Sequence, residues 1–233
     1  MKFFVLKALM FFDFFYKRKT LLGLRKLLGN EIKVIFDVGA HNGESILLFN
    51  KNFNFFKVYT FEPLKKNFLK LKINTKKIAE KIVYLNYALG DKKENRIIKE
   101  MMETSSSTLN DINENSIYYK KKKFFLGVRE NKKMFVEKKV SIDRAINVIK
   151  KFKIDKIDLL KIDTEGYELN VIKGFGVNID VVKVIIFEHH YDLMISKNYT
   201  YSDINRYLVN KGFHLKYKFK MPFRKTFEYI YSK

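Results

Sequence analysis

The sequence contains no cysteine and only two prolines, Pro63 and Pro222. Without cysteine the chain cannot form disulfides, cannot bind a metal through thiolates and cannot use a thiol nucleophile. Packing and hydrogen bonds must therefore stabilise the fold. A chain without disulfides is compatible with the cytoplasm, and we predict a cytoplasmic location.

Long apolar runs are also missing. The first 30 residues are rich in Phe and Leu, but Lys7 and Asp13 interrupt them well before the roughly 18–20 residues that a membrane-spanning helix needs. No small-residue cleavage site follows Tyr16, and three basic residues come next, so we do not expect a signal peptide.

Residues 1–30 lack the alternation of a strand and are predicted to form a helical extension. Two interpretations remain open. The helix packs on the domain or on a second copy of the chain, or it lies on a membrane with Phe and Leu in the lipid and Lys at the headgroups. We favour packing. Peripheral contact with the inner face of the membrane and a homo-oligomer remain alternatives.

Acidic residues are few, with 25 Asp and Glu against 47 Lys and Arg, which gives a net charge of +22. Such a balance suggests a polyanionic partner. However, only seven of the basic residues are Arg, and Lys lacks the planar fork with which Arg recognises phosphate. We therefore do not predict a nucleic-acid partner.

A chain of 233 residues suits one domain with a sizeable core. From Ile32 onward, short β-rich segments alternate with amphipathic ones, which is typical of βαβ units around a mostly parallel sheet. We predict a doubly wound α/β domain over residues 31–233, with a lid-like insertion at 103–139 and a C-terminal antiparallel hairpin. The predicted strands are 33–38, 57–61, 82–86, 157–162, 182–187, 214–219 and 226–231, and the predicted helices are 44–52, 64–75, 143–152, 168–173 and 201–210.

Two glycines follow the first predicted strand, in the segment Ile35-Phe-Asp-Val-Gly-Ala-His-Asn-Gly43. Ligands bind at this edge of open α/β sheets. The spacing is G-x-x-x-G instead of the G-x-G-x-x-G of dinucleotide sites, and Asp37 would repel a pyrophosphate. S-adenosylmethionine has no phosphate and is positively charged, so Asp37 favours it. Glu62, at the end of the second predicted strand, can accept hydrogen bonds from ribose hydroxyls; otherwise both acids are ordinary strand-end polar residues.

Six ordered segments resemble the FkbM family of S-adenosylmethionine-dependent methyltransferases, over roughly Ile32 to the C-terminus. They are Phe36-Asp-Val-Gly-Ala-His-Asn-Gly43, Phe61-Glu-Pro63, Tyr87-Ala-Leu-Gly-Asp91, Val140-Ser-Ile-Asp143, Lys161-Ile-Asp-Thr-Glu-Gly-Tyr-Glu168 and Phe187-Glu188. His41 departs from the Asn that many members have at this position.

The resemblance implies a seven-stranded class I methyltransferase fold with S-adenosylmethionine as cofactor. It implies O-methylation of a hydroxyl group, most often on a sugar of a surface glycan, a glycolipid or a secondary metabolite. The cofactor-binding residues that it implies are Asp37, Gly39, Ala40, His41, Asn42, Gly43, Ser45, Glu62, Pro63, Ala88, Leu89 and Asp163.

Methyl transfer to a hydroxyl requires an aligned acceptor oxygen and a group that removes its proton. Asp163 and Glu165 follow the fourth predicted strand, and Glu188 and His189 end the fifth, so all four belong to the same sheet edge. We rank Asp163 first as the orienting or deprotonating group, followed by His189 or Glu165. A helix N-cap is the alternative role for Asp163. Lys161 reaches either the pocket or a neighbouring carboxylate.

His189 and His190 are consecutive, so in a strand they point to opposite faces and at most one of them lines the pocket. The carboxylates and His189 include the ligand types that Mg²⁺ or Mn²⁺ accepts. Their spacing is not diagnostic, and we predict no metal site.

Two other functions compete with this hypothesis. Among nucleic-acid methyltransferases, cytosine-5 enzymes need a cysteine, and amino-methylating enzymes commonly carry a Pro-Pro motif that this chain lacks. Methylation of an RNA ribose hydroxyl remains. The second competitor is a non-catalytic protein that binds the cofactor or a glycan. The presence of Asp37, Glu62 and Asp163 together argues against it.

Overall fold

A seven-stranded sheet forms the centre of the computed structural model, which describes residues 2–103, 106–129 and 131–233, with side chains from residue 15 onward. The strands are β1 Glu31–Val38, β2 Asn54–Phe61, β3 Ile82–Leu85, β4 Ala88–Leu89, β5 Glu94–Met101, β6 Asp111–Ile112, β7 Phe135–Asp143, β8 Ile157–Ile162, β9 Val182–His190, β10 Ile195–Ser196, β11 His214–Lys220 and β12 Thr226–Ser232. The α-helices are α1 Lys2–Leu28, α2 Glu44–Asn52, α3 Lys65–Asn74, α4 Ile117–Phe125, α5 Ala145–Phe152, α6 Glu168–Lys173 and α7 Tyr201–Val209.

The strand order in the central sheet is β11-β12-β9-β8-β1-β2-β3. Neighbouring strands are parallel except for β12, which runs antiparallel to both β9 and β11. This arrangement confirms the predicted doubly wound, mostly parallel seven-stranded sheet and its C-terminal hairpin. The carboxyl ends of β1, β2, β8 and β9 meet at one edge of the sheet.

The parallel strands are apolar because both of their faces are covered. Consecutive residues belong to opposite cores: Ile35 packs with α2 and α3 on one face, whereas Phe36 packs with α5, α6 and α7 on the other. Leu159 and Leu160 of β8 divide in the same way. The two hydrophobic cores, one on each face of the sheet, therefore hold the parallel strands in place.

The first helix is longer than any other and contributes to the core through its last turns. Leu24 is fully buried, and a Cβ at Gly23 would lie 3.2 Å from the ring of Tyr217 on β11. The Arg25 guanidinium donates to the Asn52 carbonyl over 2.8 Å. These contacts agree with packing for residues 20–28, whereas the side chains of residues 2–14 lie outside the described set. Across the described residues, no helix has both the length and the apolar character needed to cross a bilayer.

The segment between β3 and α5 holds structure that the sequence did not predict. Strand β7 pairs in parallel with β4 and antiparallel with β5, which gives a separate three-stranded sheet. The predicted insertion, 103–139, contains α4, β6 and the first residues of β7. Strands β5 and β7 were not predicted, because they are stabilised by pairing with each other across the intervening residues. The role of the insertion as a lid stays a prediction.

Candidate active site

The turn after β1 depends on two glycines with positive φ. Gly39 has φ +81°, and a Cβ there would lie 1.9 Å from the carbonyl oxygen of Asp163, so no side chain fits. The Gly39 and Ala40 amides both donate to the Phe61 carbonyl, over 2.9 and 3.1 Å. Gly43 has φ +92° and precedes α2. The G-x-x-x-G spacing therefore brings the ends of β1, β2 and β8 together.

Glu62 occupies the end of β2 and is buried. One carboxylate oxygen accepts the His41 amide over 3.0 Å, and the other accepts the Leu64 amide over 2.9 Å. Burial raises the pKa of Glu62 to about 7, although these two bonds act in the opposite direction. The Asn67 side chain also hydrogen-bonds to Glu62, so three donors occupy a carboxylate that has about four acceptor positions.

A cavity of about 400 Å³ opens at this edge of the sheet. Twelve of the predicted site residues line it: Gly39, Ala40, His41, Ser45, Glu62, Pro63, Ala88, Leu89, Lys161, Asp163, Glu165 and Glu188. Cofactor candidates and catalytic candidates thus face one enclosed space. Their roles remain predictions.

Four predicted site residues are not in the wall of the cavity: Asp37, Asn42, Gly43 and His189. Asp37 is fully buried behind the wall, where it accepts the Ser45 hydroxyl over 2.6 Å. The backbone carbonyl of Asn42 accepts the Asn74 side chain at the end of α3. Asp37 is therefore connected to the cavity through Ser45 and Lys161, and its role in cofactor binding stays a prediction.

Lys161 connects two acids across neighbouring strands. Its amine lies 3.3 Å from Asp37 Oδ1 and 3.4 Å from Asp163 Oδ2. Burial alone would lower the pKa of Lys161, but Asp37, Asp163 and Glu188 together raise it above its ordinary value. The lysine is therefore a permanent cation. It fixes the side chain of Asp163, which is 31% exposed and reaches the cavity.

We predicted that His189 lines the cavity, but the structure places its side chain on the other face of β9. Its ring is buried against the rings of Tyr191, Tyr199 and Tyr201, and burial lowers its pKa to about 3. His190 points to the face opposite that of His189, as strand alternation requires, and its Nε2 lies 3.2 Å from Glu165 Oε2. The sequence could not show which face carried the cavity, because both faces of β9 are covered.

Glu165 and Glu188 both contact His190, Glu188 at the longer distance of 3.9 Å. Burial alone would lower the pKa of His190, but the carboxylates of Glu165, Asp192 and Glu188 raise it to about 10. Burial raises the pKa of Glu188 well above its ordinary range. His190 is consequently a cation beneath the acidic wall of the cavity.

The loop after β8 is held by Glu168, which is buried. One of its oxygens accepts the Gly166 amide over 2.7 Å, and the other accepts the Tyr199 hydroxyl over 2.6 Å. Glu165 has a positive φ of +50° in this loop, which favours glycine. Glu168 thus stabilises the backbone that carries Asp163 and Glu165.

Several residues of the cavity wall were missed in the sequence. Glu228 on β12 pairs in register with Glu188 on β9, and its carboxylate accepts the Thr20 hydroxyl of α1. Burial raises the pKa of Glu228 to about 7. Tyr16 and Arg224 also line the cavity. An acid between Phe227 and Tyr229, inside an apolar strand, was the signal that could have identified Glu228.

Within the described ranges, no group of three or more His, Asp or Glu side chains is arranged to hold a metal ion.

A family model described as the methyltransferase FkbM domain matches residues 37–215. No curated protein matches the chain. Among solved structures, the methyltransferase FkbM of Methylobacillus flagellatus KT aligns with a TM-score of 0.51 and 16% identity, over 87% of this chain and 44% of that one. The chain therefore spans less than half the length of that relative.

Two further structures share the fold. TrmK of M. capricolum, in complex with S-adenosyl-homocysteine, aligns with a TM-score of 0.51 and 11% identity, over 92% of this chain and 67% of that one. Sp1610 of Streptococcus pneumoniae, in complex with S-adenosyl-L-methionine, gives a TM-score of 0.50 and 11% identity, over 92% and 72%. At these identities the likeness concerns the fold.

Proposed function

Because the chain belongs to the FkbM family of methyltransferases, we propose that it is an S-adenosylmethionine-dependent O-methyltransferase. We further propose that its acceptor is a hydroxyl group on a sugar, which belongs to a surface glycan, a glycolipid or a secondary metabolite. One observation carries the proposal. Glu62, suited to a ribose, and Asp163, suited to a reacting hydroxyl, face the same cavity from the ends of β2 and β8.

The residues of this cavity fit S-adenosylmethionine. The Glu62 carboxylate retains acceptor capacity for a ribose hydroxyl after it has accepted the His41 and Leu64 amides and the Asn67 side chain. Leu64 and Leu89 provide apolar walls for an adenine ring. The N-terminus of α2 favours the carboxylate of the methionine part. The bound cofactor would supply a methyl group on a positively charged sulfur.

The chemistry of the protein is to position a hydroxyl and accept its proton. Asp163 is held by Lys161 and reaches the cavity, where it can accept a hydrogen bond from the acceptor hydroxyl. As the oxygen–methyl bond forms and the sulfur–methyl bond breaks, the hydroxyl proton passes to a carboxylate. Asp163 is our first candidate for this base and Glu165 the second, since burial raises the pKa of Glu165 to about 7.

Methylation of an RNA ribose is the second candidate, supported by the net charge of +22. The cavity itself opposes it, because Asp163, Glu165, Glu188 and Glu228 all line the wall. The pKa values of Glu165, Glu188 and Glu228 are raised, so these groups repel a phosphate near the acceptor hydroxyl only to the extent that they are ionised. An uncharged sugar has no such conflict.

Calorimetric titration with S-adenosylmethionine tests the cofactor site. We expect binding by the unaltered chain and a loss of about tenfold or more after Glu62→Gln, because a charged hydrogen-bond acceptor is removed. Glu80→Gln, at an exposed position outside the cavity, is the matched control. Absence of heat with this cofactor, together with tight binding of a nicotinamide dinucleotide, would contradict the proposal.

The acceptor is identified by comparing methylated glycans, by mass spectrometry, between cells with and without the gene. Loss of an O-methyl sugar in the deletion strain supports the proposal. Loss of a ribose methyl group in RNA, with unchanged glycans, would favour the second candidate instead.

A further inference from the structure

Helix α4 displays large apolar side chains to solvent. Phe124 and Phe125 are each 81% exposed, and their ring centroids lie 5.9 Å apart. Ile117, at the start of the helix, is 75% exposed. Side chains of this size scattered singly are normal on a protein surface, but an adjacent group marks an interaction site.

The outward direction of these side chains is fixed by the opposite face of the helix. Tyr119 is buried in a small core with Met134 and Phe135. Its hydroxyl donates to Glu114 and accepts the Met134 amide, over 3.0 and 3.3 Å. Because this contact sets the rotation of α4, Ile117 and Phe124, seven residues apart, lie on the face that points away from the protein.

Basic residues surround the apolar group. Lys120 and Lys121 lie between Ile117 and Phe124 and are exposed. A groove follows directly after α4, with apolar walls that include Met102, Leu126 and Val136. Among the described residues of its lining, Lys66, Arg129, Lys132 and Lys133 stand against one acid, Glu100. The surface thus combines protruding apolar side chains with an excess of positive charge.

We propose that α4 and this groove bind an anionic membrane surface. Phe124, Phe125 and Ile117 enter the boundary between headgroups and acyl chains, and the lysines pair with anionic headgroups. The long aliphatic stems of Lys allow the ammonium groups to stay at the headgroup level while the rings insert. A single-stranded nucleic acid is less suited, because Ile117, Met102, Leu126 and Val136 offer it neither stacking nor hydrogen bonds.

The surface is connected to the wall of the cavity. The Lys122 amine donates to the Ser106 hydroxyl over 2.9 Å and lies 2.5 Å from Glu103. Ser107, the next residue, lines the cavity. A membrane bound at α4 would therefore lie beside the part of the cavity wall that Ser107 forms. This inference goes beyond the proposed function, and its test requires no catalysis.

Sedimentation with lipid vesicles tests the proposal with the full-length chain. Vesicles of phosphatidylcholine alone are compared with an equimolar mixture of phosphatidylcholine and phosphatidylglycerol. We expect binding to the mixture only, weakened by added salt. The double variant F124S/F125S should lose at least about tenfold in partitioning, and K120Q/K121Q about fivefold per lysine. Phe56→Ser, at a position that is 75% exposed on β2, is the matched control and should bind normally.

Three results would overturn the proposal, provided that the variants melt at the temperature of the unaltered chain. In the first, F124S/F125S binds anionic vesicles as well as the unaltered chain, which would assign the membrane contact to α1. In the second, vesicle binding is unchanged but the double variant turns a dimer into a monomer, which would make a second copy the partner. In the third, the double variant loses RNA binding and RNA displaces the protein from vesicles.

Discussion

Replacing Lys161 by methionine should destabilise the fold, because the buried Asp37 on the neighbouring strand would lose its compensating charge. Asp37 is fully buried, and its Oδ2 is bonded by Ser45. Its Oδ1 lies 3.3 Å from the Lys161 amine, which supplies the compensating charge. Lys161→Met keeps most of the apolar stem and removes only that charge.

The size of the effect follows from burial. Removing one partner of a buried ion pair costs about 3–5 kcal/mol, since the other charge is left without compensation. Proton uptake sets an upper limit, because protonating an aspartate in water near pH 7 costs about 4 kcal/mol. For a chain of this length, a loss of about 3–4 kcal/mol lowers the melting temperature by about 6–16 °C.

A double-mutant cycle provides the measurement. The free energy of unfolding is measured in urea for the unaltered chain, K161M, D37N and the combined variant. D37N removes the carboxylate that K161M leaves without a compensating charge. The combined variant should therefore be about 1–3 kcal/mol more stable than K161M alone. Lys156→Met is the control, since Lys156 is 61% exposed and its pair with Asp158 contributes at most about 1 kcal/mol. A loss below about 1 kcal/mol in K161M, or no recovery in the combined variant, would refute the reasoning.

Three further predictions concern the site and α1. Asp163→Asn should leave S-adenosylmethionine binding unchanged while lowering turnover by at least about tenfold, and unchanged turnover would remove Asp163 from the mechanism. Glu228 has a folded pKa of about 7, above the ordinary value of about 4.3. The free energy of unfolding should therefore fall as pH rises between these values, and Glu228→Gln should reduce that fall in urea titrations at several pH values; equal slopes would contradict the assignment. Deleting residues 1–19 removes Tyr16 from the cavity wall and should lower the melting temperature. A truncation that equals the full chain in melting temperature, vesicle binding and oligomeric state would make this segment dispensable.

The sequence predicted the central sheet well because its strands are buried on both faces. β8 was predicted with its observed bounds, and β1, β2 and β9 differ only at their ends. Their apolar runs need no distant partner to be recognised. β5 was missed, because Glu94–Met101 is mostly exposed and pairs with β7 some forty residues later. Non-local pairing of this kind leaves little local pattern.

The candidate site divides in the same way. Glu62 and Asp163 follow parallel strands, and topology alone brings such positions to one edge. Glu228 reaches the cavity only through the register of β12 with β9, which aligns it with Glu188. His189 and His190 could be assigned to opposite faces by alternation, but the face of the cavity depends on how α1 and the terminal hairpin close it. The register of β12 and the position of the cavity depend on tertiary packing, which leaves no local pattern in the sequence.

The close approach at Gly39 couples the loop after β1 to the loop after β8, which carries Asp163. The loop after β1 cannot move relative to Asp163 without a clash or a lost bond, because the Asp163 amide also donates to the Val38 carbonyl over 2.9 Å. Ordering of one loop therefore lowers the entropic cost of ordering the other. By linkage, any gain in acceptor affinity that follows cofactor binding must equal the gain in cofactor affinity that follows acceptor binding. The two ligands would be expected to bind cooperatively, without any hinge between domains.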